Sequence, residues 1–410
     1  MIAALVTGLL GLPATAGAQD PVLEWNDIAR QLAVVPSQSP VQQTRLMAIV
    51  HVAVHDAVNA VTGRYERYAP TGSVPVGSSP KAAAIGAAYQ ALVGLFGPSA
   101  FLSTKFTESI AAHGVPAGDP GIAFGALVAD GILQLRQNDG AATAAYPYVP
   151  PDVGAVGVWD PGTATALLPG WGKVVPFVLR SGSQFRPDPP PALGGERYAR
   201  DYNEVRDLGA AGSVVRTPEQ GQIAQFWRAS PTALWNPILR QALASRQFDL
   251  SQTARVMALF YLAASDASVA CWEAKYVYNF WRPQAAIARG DEDGNDATVG
   301  DPSWRPFVAT PPHPEYPSGH TSNSGSMAFV LSSIFGDAPG FVIEARSTQT
   351  PGFVRYWPTF SEGVEEVIDA RIYSGIHFRT ADEAGARLGR QVAKFVMTHA
   401  LRPVRGSSTH

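Results

Sequence analysis

The stretch QQTRLMAIVHVAVHDAVNAV, residues 42–61, carries apolar side chains at three- and four-residue spacing, the period of one face of an α-helix. That period limits the fold more than any other feature, because it recurs along the chain. The Ala-rich segment 80–95 repeats it, and further helices are predicted around 120–137, 219–227, 250–282, 322–335 and 380–399. Few stretches alternate with period two, so an extensive sheet is not expected and the fold class is read as all-α. Between the helices lie two long breaker-rich segments. Residues 146–193 include PYVPPDVGAVGVWDPG and RPDPPPALGG, which no regular helix accommodates. The same segment holds Trp159, Trp171 and Phe177, so it is expected to pack as an ordered loop over the helices. The second segment, 290–318, is expected to be functional, since long loops in compact domains commonly are.

A chain of 410 residues can bury a sizeable core. Its 31 Lys and Arg against 34 Asp and Glu leave no basic excess for nucleic acid, so any bound anion must be gripped by a few local cations. The apolar run from Ile2 to Leu12, followed by Ala16, Gly17 and Ala18, reads as a signal peptide over 1–18. The rest, 19–410, is expected to be one exported domain, periplasmic or secreted, and no later run is read as a membrane span. Cys271 is the sole cysteine, which rules out an intrachain disulfide, and it reads as core.

Three short stretches carry the chemistry. In EYPSGH, Ser318, Gly319 and His320 precede an apolar run with helical spacing, so they sit at a helix start, where unpaired N–H groups favour an anion. Plain N-capping explains Ser318 and Gly319 equally well in isolation. In CWEAKYVYNFWRPQ, Lys275 and Arg282 are two helical turns apart, on one face if the helix is unbroken, and Trp272 shares that face. Pro283 biases Arg282 away from helical dihedrals and marks an end or kink there. Two cations on one apolar helix would repel unless an anion sits between them. In DARIYSGIHFRTADEAG, Arg371 and His377 bracket Ser374 and Gly375, a pair that invites a bend bringing both side chains toward one point.

Lys275 with Arg282-Pro283, Pro317-Ser318-Gly319-His320, and Arg371 with His377 together resemble the three-part signature of the vanadium haloperoxidase and type 2 phosphatidic acid phosphatase superfamily. The resemblance spans about a quarter of the chain, with the anion site in 250–400, and its Trp272 and FWRP extension looks more like the haloperoxidases. It implies two packed four-helix bundles with long ordered loops. It also implies that Lys275, Arg282, Ser318, Gly319 and Arg371 hold vanadate or phosphate, with His320 and His377 catalytic. In a haloperoxidase His377 would bind vanadium and His320 would move protons as hydrogen peroxide and a halide react, with a small organic acceptor taking the halogen. In an acid phosphatase His377 would attack the phosphorus of a phosphate monoester and His320 would protonate the leaving alcohol. A phosphate or vanadate binder without turnover is the third alternative.

The chain departs from the family pattern in two places. Ala370 stands where the family has Ser before the third-part arginine. The family's orienting Asp, four residues after the last histidine, is replaced by Ala381, and Asp382 follows one residue late. Asp382 is assigned either that orienting role or, in Thr380-Ala-Asp-Glu383, a place in a capping box. His313, seven residues before His320, stands where bromide- or iodide-preferring relatives have histidine; Trp272 matches the chloroperoxidase type. Two other signals are set aside. His51 and His55 read as buried histidines with hydrogen-bond partners. GDEDGND, 290–296, lacks the spacing of a calcium loop and reads as a solvated loop at the mouth of the site.

Overall fold

In the computed structural model residues 20–35 and 37–404 are described; the segment read as a signal peptide lies outside them. The chain opens with α1 (Pro21–Ala33), α2 (Pro40–Thr62), α3 (Pro80–Phe96), α4 (Ala100–Ala112) and α5 (Gly121–Arg136). After the breaker-rich segment come α6 (Glu196–Leu208), α7 (Pro218–Phe226), α8 (Pro231–Ala244), α9 (Leu250–Tyr278) and the short α10 (Pro283–Ala288). The chain closes with α11 (Gly319–Phe335), α12 (Phe360–Tyr373) and α13 (Arg379–His399). One hairpin, β1 (Ile343–Arg346) with β2 (Val354–Trp357), pairs antiparallel in register Ile343 to Trp357.

Helix starts follow from local chemistry. Ser39, Ser79, Thr217 and Ser230 each accept a backbone N–H of the first turn, with proline as the first helical residue, where its missing donor costs nothing. In the N-terminal half α2, α3 and α5 pack on one another; in the C-terminal half α11, α12 and α13 do. α9 belongs to both halves, meeting α2 on one side and α11 and α13 on the other. Its side chains are therefore buried all round, from Met257 and Phe260 to Trp272. By length and composition α9 could cross a membrane, which the sequence reading had not credited to any segment, but its apolar surface is covered by the protein itself.

The segment 146–193 is ordered, as its aromatic residues predict. Trp159 and Trp171 are buried, and Asp266 of α9 accepts the backbone N–H groups of Phe177, Val178 and Leu179 at 2.6, 2.7 and 2.9 Å. His51 and His55 are buried within α2. His51 Nε2 accepts from the Asn26 amide at 2.9 Å and its ring stacks on Tyr261, while His55 Nε2 lies 3.1 Å from the Glu66 carbonyl. The 290–296 loop is largely exposed, as a solvated loop should be, but its place differs from expectation. Asp293 is buried and caps a turn by accepting from Asn295 N–H and the Thr298 hydroxyl, and Asn295 reaches the Leu193 carbonyl, so the loop borders α6 instead of the anion-binding residues.

Candidate active site

α9 does not run on to Arg282. Asn279 adopts the left-handed conformation, φ 46°, which its short polar side chain tolerates, and its N–H closes the helix on the Lys275 carbonyl. Arg282 instead stands at the N-cap of α10 with extended backbone, as expected of a residue before proline. The two cations thus converge from different elements, not from one helix face. Lys275 Nζ donates to the carbonyls of Pro314 and Glu315, both at 2.8 Å. Arg282 donates from Nε to the His313 carbonyl at 2.9 Å and from Nη1 to the Ile376 carbonyl at 2.7 Å.

The chain enters α11 as its residues predict, with Ser318 at the N-cap and Gly319 and His320 in the first turn. Yet the Ser318 hydroxyl makes no capping bond. It is buried and makes no hydrogen bond of good geometry, though it lies close enough to the Asp382 carboxyl to favour its charged form. Gly319 leaves room for its neighbour: a Cβ there would lie 3.0 Å from the Trp272 indole, which would have to shift by a few tenths of an ångström. α13 backs this helix start at very short range, because a Cβ on Gly389 would come within 2.0 Å of the Ser322 carbonyl.

Arg371 lies in the last turn of α12, and the bend inferred from Ser374 and Gly375 is present, with Gly375 at φ 76°. Arg371 is buried; one guanidinium nitrogen donates to the Trp227 carbonyl at 3.0 Å and its Nε has no partner. The bend delivers His377 against Arg282, whose Nη1 stands 3.2 Å from His377 Nε2. A guanidinium only donates, so Nε2 carries the lone pair and Nδ1 the proton.

That proton goes to a residue the sequence reading missed. Glu315 Oε1 accepts His377 Nδ1–H at 2.8 Å and the Phe378 N–H at 2.9 Å. The Glu315 carboxyl is fully buried and is pushed up to about 8 by that burial, against the pull of Arg282 and Lys275. When protonated it carries the hydrogen on Oε2, the oxygen without a partner, so Oε1 accepts in either state. Its backbone carbonyl holds Lys275 as well. A signal was present in the sequence: one acid in a proline-rich, otherwise uncharged run just ahead of the PSGH motif.

Asp382 is an acid in the first turn of α13, but it belongs to no capping box and does not orient His377. α13 starts after Phe378 with no side-chain cap, so Thr380 to Glu383 is not a capping box; the Thr380 N–H donates to Asp201 and its hydroxyl accepts from Arg197. Nor does Asp382 orient His377, whose Nδ1 is taken. It is buried, held well above the usual range by burial and drawn back first by the nearby Ser318 hydroxyl and then by Arg371. His313 packs beside Trp272, ring centroids 5.0 Å apart, and its ring nitrogens face Arg282 Nη2 at 2.9 and 3.3 Å. Burial and then Arg282 lower the basicity of His313; burial and then Arg371 do the same for His320; burial and then Arg282 do so for His377. His320 is half-buried, and its Nε2 lies 3.3 Å from the Ala229 carbonyl, which only accepts, so Nε2 carries the proton and Nδ1 is the basic nitrogen.

A family model described as VCPO second helical-bundle domain matches residues 255–406, which hold all three parts of the signature. A bacterial vanadium-dependent iodoperoxidase superposes with a TM-score of 0.78 at 27% identity, covering 95% of this chain and 97% of that one. These findings support the vanadium haloperoxidase superfamily for this chain. A bacterial vanadium-dependent chloroperoxidase shares the superfamily fold, with a TM-score of 0.70 at 18% identity over 90% of this chain and 96% of its own. The vanadium chloroperoxidase of Curvularia inaequalis is 23% identical over 400 aligned residues, which take in 75% of this chain and 64% of that protein. The match therefore spans a little under two thirds of that relative's length.

Proposed function

We propose that the chain is a vanadate-dependent haloperoxidase that oxidises a halide, iodide or bromide before chloride, with hydrogen peroxide. The observation that carries this reading is the set of buried donors: Lys275, Arg282 and Arg371 around a histidine whose Nε2, facing Arg282, bears the lone pair. The unpartnered Ser318 hydroxyl and Arg371 Nε are the groups an oxyanion would satisfy, so the residues fit vanadate. Lys275, Arg282, Ser318, the Gly319 N–H and Arg371 would hold its oxygens, and His377 Nε2 would coordinate the metal. Bound vanadate would supply Lewis acidity that polarises peroxide for attack by halide.

The chain's own residues do the rest. Glu315 fixes the tautomer and orientation of His377, as an outer-shell carboxylate does for a ligating histidine. His320, kept neutral beside Arg371, takes the proton of incoming hydrogen peroxide at Nδ1 and returns it to the departing water. Trp272 and His313 wall the halide approach, and the histidine there, with the likeness to an iodoperoxidase, supports iodide or bromide. Export belongs to the same reading and rests on residues 1–18 alone.

The test is bromination and iodination of a phenolic dye by metal-free protein with peroxide, with and without orthovanadate, beside hydrolysis of p-nitrophenyl phosphate. Vanadate-dependent halogenation supports the reading. Hydrolysis inhibited by vanadate, without halogenation, makes the protein a phosphatase with His377 as nucleophile; neither activity makes it an oxyanion binder.

A further inference from the structure

Beside Arg282 lies a cavity of about 460 Å³, far larger than an oxyanion needs. One wall comes from the 146–193 segment and the other from 302–312. The walls are pinned in place: the Trp159 N–H donates to the Asn279 carbonyl at 2.7 Å, and the Leu167 N–H to the Pro312 carbonyl at 2.8 Å. Trp159 and Arg282 are the buried residues of the lining, whereas Ala164, Pro302 and Arg305 are exposed, so the cavity opens to solvent at one end and ends on Arg282 at the other. The long proline-rich loops thereby acquire a purpose the anion site alone does not give them.

We propose that this cavity binds a small aromatic anion, a phenolate or aryl carboxylate, as the organic acceptor. Trp159 and the adjoining prolines offer a flat apolar surface for a ring. Arg282 and Arg305 outnumber the one carboxylate of the lining, Asp160, whose Oδ1 is already engaged by the Gly162 N–H at 2.7 Å. Thr310 also lines the cavity, and its hydroxyl is buried without a partner. The proposal rests on the haloperoxidase reading. Hypohalous acid made at the cage would meet the ring within the cavity; a carbon–halogen bond forms as the oxygen–halogen bond breaks, and the displaced ring proton leaves with the hydroxide as water.

Binding can be tested without turnover. Isothermal titration of the full chain with 4-hydroxybenzoate, without vanadate, peroxide or halide, should show saturable binding to one site. Trp159→Ala, and separately Ala164→Phe on the exposed rim, should each weaken it about tenfold or more. Arg305→Gln should weaken 4-hydroxybenzoate more than neutral phenol. Circular dichroism identifies variants that fold. No saturable binding, or binding that both folded Trp159→Ala and Ala164→Phe leave unchanged, overturns the proposal. Binding that stands while bromination fails keeps the cavity assignment and removes the catalytic reading of the cage.

Discussion

Glu315 and His377, 62 residues apart in sequence, meet across 2.8 Å with both side chains buried. The carboxylate that orients the histidine thus comes from the loop before α11 and not from the helix after the histidine. Glu315→Leu removes the one oxygen that accepts both His377 Nδ1–H and the Phe378 N–H, whereas Glu315→Gln can keep it in place. In Glu315→Leu vanadate affinity should fall about 10–100-fold, the usual cost of losing such a partner. Titration of the metal-free variant checks this, and unchanged affinity would leave Glu315 a purely structural residue.

Gly319 and Trp272 are matched surfaces. A methyl at 319 would press on the indole at 3.0 Å. Gly319→Ala should destabilise the protein by about 1–3 kcal/mol through overpacking, and adding Trp272→Phe should recover part of the loss. Denaturant midpoints of the single and double variants provide the comparison.

Lys275 is lowered to about 7 by burial, with Arg282 adding to the effect. An anion that relies on its positive charge should bind most tightly below that pH and progressively more weakly as pH rises toward 9. Sulfate is the suitable probe because its own charge is constant over this range. Lys275→Met should bind sulfate weakly, with a flatter profile in calorimetric titrations between pH 6 and 9.

Asp266 pins the loop 177–179 to α9, and burial raises it to about 6 despite three N–H donors. The folded state therefore holds this proton more tightly than the unfolded chain does. Its contribution is fully present below about pH 3.8 and is lost as pH rises through about 6. Asp266→Asn should be less stable overall, with the difference from wild type narrowing between pH 4 and 6. Urea unfolding at several pH values measures the gap, and a gap that widened would refute the sign.

Where apolar period and caps agree, the fold is legible in the sequence: α2, α3, α5, α7, α11 and α13 stand within a few residues of expectation. α6 and α12 escaped notice although Tyr198, Tyr202 and Val205, and Phe360, Val364, Val367 and Ile368, keep helical spacing; their many charges mask it and are used in tertiary pairing, as when Arg379 of α13 bridges Glu204 and Asp369. α8 carries Pro237 in its interior, which sequence reasoning treats as a stop. The converging cations and histidines were visible through the three-part pattern. Glu315 was not, because its partner is distant in sequence and only the tertiary fold shows that its carboxyl is enclosed.

The helix that carries Trp272 and Lys275 is also the spine of the N-terminal half, with α2 lying along it. The matched region 255–406 starts inside that helix. Expressed alone, it would lay bare the flank that α2 normally shields, a long greasy stripe suited to self-association. The N-terminal half thus serves as a built-in escort for the helix that presents the site's lysine, and trimming the chain to its signature motifs would forfeit solubility before chemistry.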